Sequence, residues 1–209
     1  MCPQPWLVDV KRRTLDDVEF QRPSELLELI KSRSWPYKTN REFYEVRDRA
    51  LISLLYLTCG RISEVLSLTK KQFVFDEDPD FIIVKNMIVV KRKRKAKRKR
   101  RSIREEVPLP RAGPMSLFTQ FVAEYLNRLS DPEEKLFKFG RHRAWQIVSF
   151  ITGKWCHYFR IQGESWYGKI FSNIFALKDF VGVVDASTLS DYVKTDWKDY
   201  RDRILGKTK

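Results

Sequence analysis

Apolar residues fall into three regimes along the chain. Over residues 39–57 they recur at helical spacing, with Phe43, Val46, Ala50, Leu54 and Leu57 on one stripe. Thr39 and Glu42 have the spacing of a capping box and place the start of that helix. From Phe73 the period shortens: Phe73-Val74-Phe75, Phe81-Ile82-Ile83-Val84 and Met87-Ile88-Val89-Val90 are β-rich runs, separated by an acidic turn over 76–80 and by Asn86. Residues 102–109 pair back as a last strand before Pro110, so a hairpin over about 81–109 belongs to a small antiparallel sheet. From Pro114 the helical period returns, over 115–129, 144–152, 166–176 and 177–181. Trp145, Trp155, Phe171, Phe175 and Phe180 are expected in the core. Asp185 is placed to cap a further helix that carries Tyr192, and Trp197, Tyr200 and Ile204 define an amphipathic C-terminal helix over about 195–206. Residues 1–38 read as an N-terminal arm or linker with one short helix, started by Ser24 as N-cap, and 39–209 as the main domain. The expected fold class is mainly α with a small antiparallel β-sheet (α+β).

Composition adds a partner to this outline. With 43% hydrophobic residues, 6 Trp, 14 Phe and 8 Tyr, the chain can bury a sizeable core, which excludes a disordered basic protein. The net charge of +14 favours polyanions, nucleic acid before an anionic membrane surface. Ten of the eleven residues over 91–101 are Lys or Arg, so removing them takes +14 to +4 and one element carries most of the signal. That run has no apolar helical face, which argues against membrane binding, and no stretch has the roughly 18 apolar residues of a membrane span. Cys2, Cys59 and Cys156 make neither an even disulfide framework nor a Cys-x-x-Cys pair, which argues against a zinc site and suits a reducing compartment. Residues 1–10 do not resemble a signal peptide, and the expectation is a soluble, cytoplasmic, DNA-associated protein.

Between the long helix and the sheet lies Thr58-Cys59-Gly60-Arg61-Ile62-Ser63-Glu64. Gly60 is expected to supply a positive φ at the helix end, presenting Arg61 at a corner where its fork suits a phosphate or a carboxylate. The alternative is an i,i+3 surface pair of Arg61 with Glu64.

Gly60-Arg61-Ile62-Ser63-Glu64 followed by Leu66-Ser67-Leu68, then His157-Tyr158-Phe159-Arg160, then the segment 182–192 ending in Tyr192, resemble in order and spacing the three active-site boxes of the tyrosine recombinases, the phage integrase and Xer-type family. The resemblance covers about residues 40–195 and implies that family's catalytic-domain fold. It implies site-specific cleavage and rejoining of double-stranded DNA without metal or cofactor, on a tetramer whose C-terminal helix docks on a neighbour. Tyr192 would be the nucleophile that forms a 3′-phosphotyrosine, Arg61 and Arg160 would clamp the phosphate, His157 would bind it or take the tyrosine proton, and Glu64 would orient the arginines. The family's hairpin lysine falls on Lys93, with Lys91, Lys95 and Lys97 on the same face by alternation. Lys91, Arg92, Arg94, Lys95, Lys97, Arg98, Lys99, Arg100 and Arg101 would lie on DNA phosphates. Two departures stand out. Val183 occupies the place where the family has a second His or a Trp, and at most about 40 residues precede the matched region, where typical members carry a core-binding domain. Two other readings stay open: a type IB topoisomerase-like nicking and closing enzyme, which would use the same residues without synapsis, and a recombinase-derived DNA-binding protein that no longer cleaves, which the two departures favour.

Overall fold

A computed structural model describes residues 18–91, 100–171 and 173–182. The long helix, α2 (Arg41–Leu57), is the centre of the molecule. Its second half is apolar all round, and Leu51, Ile52, Leu54, Leu55, Tyr56 and Leu57 are fully buried, the burial expected when no polar face is left for water. It packs on α4 (Ser116–Asn127) and α6 (Cys156–Ile170), while α1 (Pro23–Lys31) and α5 (Arg141–Thr152) close another side. Leu26, Leu27 and Ile30 of α1 share this one core with α2 and α6. The residues just before α1 are also tied down: Gln21 N donates to Gln162 Oε1 at 2.9 Å, and Gln162 Nε2 donates to the Glu19 carbonyl at 2.7 Å.

Local signals set most helix starts differently from expectation. Helix α1 begins at Pro23 with Arg22 as N-cap, so Ser24 lies inside the helix; Glu25 reaches back to accept from Arg22 N at 2.9 Å. Asn40, not Thr39, caps α2, in a left-handed conformation with φ 48° that asparagine tolerates. Glu42 turns outward to Arg128 at 2.7 Å, so the Thr39–Glu42 capping box does not form. The expected helix over 166–176 is two pieces. Helix α6 starts at Cys156 and stops at Ile170, and α7 (Ile174–Val181) starts afresh because the Asn173 side chain accepts from Phe175 N at 2.8 Å. Phe175, expected in the core, is 64% exposed; Trp145, Trp155, Phe171 and Phe180 do pack against the core.

The sheet is antiparallel in the order β1 (Phe73–Val74), β2 (Phe81–Lys91), β3 (Arg100–Pro110), and β2 and β3 pair from Phe81–Pro110 to Lys91–Arg100. The two expected runs 81–84 and 87–90 are one strand. Both strands change face at the same level. Val84, Met87, Val107 and Arg104 point inward, whereas Lys85 and Asn86 on β2 and Glu105 and Glu106 on β3 stand between them on the outer side. The step inward is therefore three residues instead of the usual two, and Asn86 absorbs it with φ 53°. Among the described residues no helix is long and apolar enough to cross a membrane.

Candidate active site: three arginines around two buried carboxylates

The corner after α2 is built from the backbone outward. Thr58 closes α2, its Oγ1 donating to the Leu54 carbonyl at 2.6 Å and accepting from Gly60 N at 3.1 Å. The positive φ of the corner belongs to Cys59 (48°), not to Gly60. Glycine is needed at 60 for room: a Cβ there would lie 2.7 Å from Thr58 Oγ1, 2.8 Å from Met87 Cε and 2.9 Å from Val65 Cγ2. Arg61 is then the N-cap of a single helical turn, α3 (Ile62–Val65), and Glu64 folds back to accept from Arg61 N at 2.8 Å and from Arg61 Nη1 at 3.0 Å. The i,i+3 pair of Arg61 with Glu64 therefore exists, but it is not a surface pair. The Glu64 side chain is 1% exposed, while 41% of Arg61 remains open to solvent.

The second arm comes from α6. His157 and Arg160, three residues apart, share a helix face. Arg160 is 3% exposed, with Nη2 2.6 Å from Glu164 Oε1 and Nη1 4.0 Å from Glu64 Oε2. A chain of alternating charge, Arg61–Glu64–Arg160–Glu164, thus crosses from α3 into α6. Gly163 makes the crossing possible. A Cβ there would stand 2.3 Å from the Tyr56 carbonyl oxygen and 2.8 Å from Cys59 Sγ, so only glycine lets α6 approach the end of α2 this closely.

Burial and charge set the protonation states. Burial raises the pKa of Glu164, opposed by Arg160 and then by Arg61 and Arg104. His157 is lowered to about 4, by protein crowding first and then by the positive fields of Arg160 and Arg61. Its surface remains open to water, which tempers the crowding; the two guanidiniums act in the same direction, and the imidazole is neutral at pH 7.

The sequence reading missed two members of this cluster. Glu164 was legible as an i,i+4 partner of Arg160. Arg104 was not, because plain alternation from Val107 puts it on the outer face. The face change in the hairpin turns it inward, where Nη1 donates to the Thr58 carbonyl at 2.7 Å and the guanidinium lies 5.2 Å from the centre of the Phe180 ring. Burial lowers its pKa to about 10. Three guanidiniums, Arg61, Arg104 and Arg160, thus stand around two carboxylates, Glu64 and Glu164. That leaves a surplus of at least one positive charge, suited to one phosphodiester anion.

Arg61, Glu64, His157 and Arg160, far apart in sequence, meet here. Tyr192, Lys93, Val183, Asp185 and the segment 195–206 lie outside the described residues, as do Arg92, Arg94, Lys95, Lys97, Arg98 and Lys99. Lys91 pairs with Arg100 and Val90 with Arg101 through the backbone, so β2 and β3 are paired up to the last described residue of the one and the first of the other. Among the described residues no group of three or more His, Cys, Asp or Glu gathers in a way that could hold a metal ion.

No family profile matches the chain, and no curated protein matches its sequence. The fold, by contrast, has clear counterparts. XerH site-specific recombinase, in a post-cleavage complex with palindromic difH substrate, superposes with TM-score 0.56 at 14% identity, over 87% of this chain and 50% of that one. XerA recombinase gives TM-score 0.56 at 14% identity, over 90% of this chain and 62% of that one. The Tn1549 transposon integrase bound to circular intermediate DNA gives 0.53 at 16% identity, over 94% and 67%. The chain therefore spans about half the length of the XerH chain. Its fold is that of the tyrosine recombinase catalytic domain, helices around a small three-stranded antiparallel sheet.

Proposed function

We propose that this chain is the DNA-cleaving domain of a tyrosine-type site-specific recombinase or integrase. The observation that carries the reading is the Arg61–Glu64–Arg160–Glu164 chain with a neutral His157 beside it, held at one corner of the fold shared with XerH and XerA. An anion entering at the open side of Arg61 meets a guanidinium whose other face is fixed by a buried carboxylate. Arg160 is fixed in the same way from the opposite side. Such preorganised charge stabilises the extra negative charge that builds on the non-bridging oxygens in a five-coordinate phosphorus transition state.

In this reading the Tyr192 oxygen attacks the scissile phosphorus, a P–O bond to tyrosine forms, and the bond to the 5′ oxygen breaks. The tyrosine proton passes to His157, whose ring is neutral at pH 7 and so has an unprotonated nitrogen able to accept it. The 5′ oxygen leaves with a proton from the hairpin lysine, Lys93. The phosphotyrosine conserves the bond energy, so rejoining is the reverse attack by a 5′ hydroxyl and needs no ATP. Double-stranded DNA is the substrate, the basic hairpin lies along its phosphates, and assembly is a homotetramer on the recombining sites.

Covalent trapping tests this. Wild type and Tyr192→Phe are incubated with nicked duplexes carrying candidate sites, and denaturing gels are run. An adduct that the phenylalanine variant cannot form is the expected result. Val183 favours a second reading, a recombinase-derived protein that binds DNA without cutting it: valine offers no hydrogen bond, and losing one such donor costs about two to three orders of magnitude in rate. Intact DNA binding with no adduct on any substrate selects that reading. Adducts without tetramer formation or site preference select a type IB topoisomerase-like activity.

A further inference from the structure

Arg104 is the one member of the arginine cluster that the fold is distorted to include. Were the strand alternation unbroken, Ile103 would face the core and Arg104 the solvent. Instead Ile103 is 60% exposed and Arg104 is buried, an exchange that costs hydrophobic burial and the desolvation of a cation. Among the described residues Arg104 has no ion-pair partner, and its Nε and Nη2 are buried without a hydrogen bond. A buried charge left in this state destabilises a fold unless something else uses it.

Its surroundings show the use. Through Nη1 it holds the Thr58 carbonyl, three residues before Arg61. On its other side it packs on Phe180 and Gly182: a Cβ at Gly182 would lie 2.8 Å from Arg104 Cδ, and Gly182 takes φ 72°. Gly182 is the last residue before Val183, which has no polar side chain. The charge of Arg104 is felt at Glu164, as are those of Arg160 and Arg61, so all three guanidiniums act on one region.

Building on the recombinase reading, we propose that Arg104 is a positioning residue and the third guanidinium of the phosphate site. It locks the corner that presents Arg61 against the end of α7, and its buried charge adds to those of Arg61 and Arg160 on the scissile phosphate. A phosphodiester in the site would supply the negative charge that the cluster lacks.

The test compares wild type, Arg104→Met and Arg104→Lys on duplexes with either a normal phosphate or a neutral methylphosphonate at the cleavage position. On phosphate, Arg104→Met is expected to lose about 10- to 100-fold in cleavage rate, somewhat less than for removal of a donor in direct contact, with Arg104→Lys between it and wild type. On methylphosphonate, which carries no charge to neutralise, the loss should shrink to within about threefold. An undiminished rate on phosphate, or an equal loss on both substrates, would overturn the proposal. Thermal unfolding of each variant is measured first, and if Arg104→Met does not fold, the neutral but polar Arg104→Gln takes its place in the comparison. Should wild type form no adduct at all, the recombinase reading falls by itself, and titration of inorganic phosphate followed by 31P line width decides on Arg104. Phosphate affinity weakened about tenfold or more by Arg104→Met sustains the anion site, and an unchanged affinity removes it.

Discussion

A methyl group added at position 163 would sit 2.3 Å from the Tyr56 carbonyl oxygen, inside any real contact distance. Gly163→Ala therefore has to push α6 away from α2, and with it Arg160 from Glu64. We expect it to cost about 1–3 kcal/mol of stability, as overpacking does, measured by urea unfolding, and, under the proposed function, to lower cleavage beyond what the reduced stability explains. His157 gives a second residue-scale prediction. Its native pKa of about 4 lies below the ordinary 6.5. Between these two values the unfolded chain holds a proton on this ring that the native protein does not. The stability that comes from keeping the ring neutral is thus fully present above pH 6.5 and lost as pH falls toward 4. His157→Gln should flatten the fall in stability of the wild type over that window; identical pH profiles for the two proteins would show that the ring titrates normally. Of the candidate residues that the fold brings together, Arg61, Glu64, His157 and Arg160 were legible because each lies in a short box whose order and spacing are visible in the linear sequence. Arg104 was not, since its inward aim depends on a break in alternation that involves two strands at once.

The hairpin illustrates what an element adds to its residues. Asn86 sits at φ 53° where the strands change face, and the Gln72 Nε2 amide donates to the Lys85 and Asn86 carbonyls at 2.9 and 3.1 Å, bracing the step from outside. Asn86→Val should cost about 1–2 kcal/mol, the penalty for a branched residue in the left-handed region, whereas Asn86→Gly should be neutral or nearly so. Equal stability of the two variants, read from denaturant midpoints, would mean that the strand does not hold this conformation. The same element explains why two β runs were read where one strand exists. The interruption of the apolar pattern at Lys85 and Asn86 was real, but its cause was a change of face, not a turn. Helix α6 shows the opposite failure. His157, Arg160, Gln162 and Glu164 interrupt the apolar period, so its first half read as no element at all. Those polar residues are there because that stretch of the helix faces the site and the residues 19–21.

Charge is a property of the whole molecule. With ten of its basic residues within 91–101, and only +4 spread over the rest, the protein should bind duplex DNA with a steep dependence on salt. Replacing Lys95, Lys97, Arg98, Lys99, Arg100 and Arg101 by neutral residues is expected to flatten the slope of log K against log salt, by up to about 0.9 for each phosphate that is no longer neutralised. An unchanged slope in a binding titration between about 50 and 200 mM salt would take the hairpin off the DNA. The rest of the molecule supplies rigidity: α2 lies buried between α4 and α6, so the corner at Gly60 and the face of His157 and Arg160 are held by the most buried part of the core.

The class of the fold, the β2–β3 hairpin and the boxes that hold Arg61, His157 and Arg160 could all be read along the chain. Each of these is written in local periodicity, spacing or composition, which need no knowledge of what packs against what. Packing of α3 against α6 was needed to show that Glu64 is a buried hinge between two arginines and not half of a surface pair. The same holds for Cys59 taking the strained backbone while Gly60 and Gly163 supply room, and for the inward aim of Arg104. Burial, close approach and the face of a strand are relations between segments distant along the chain, and no local pattern encodes them.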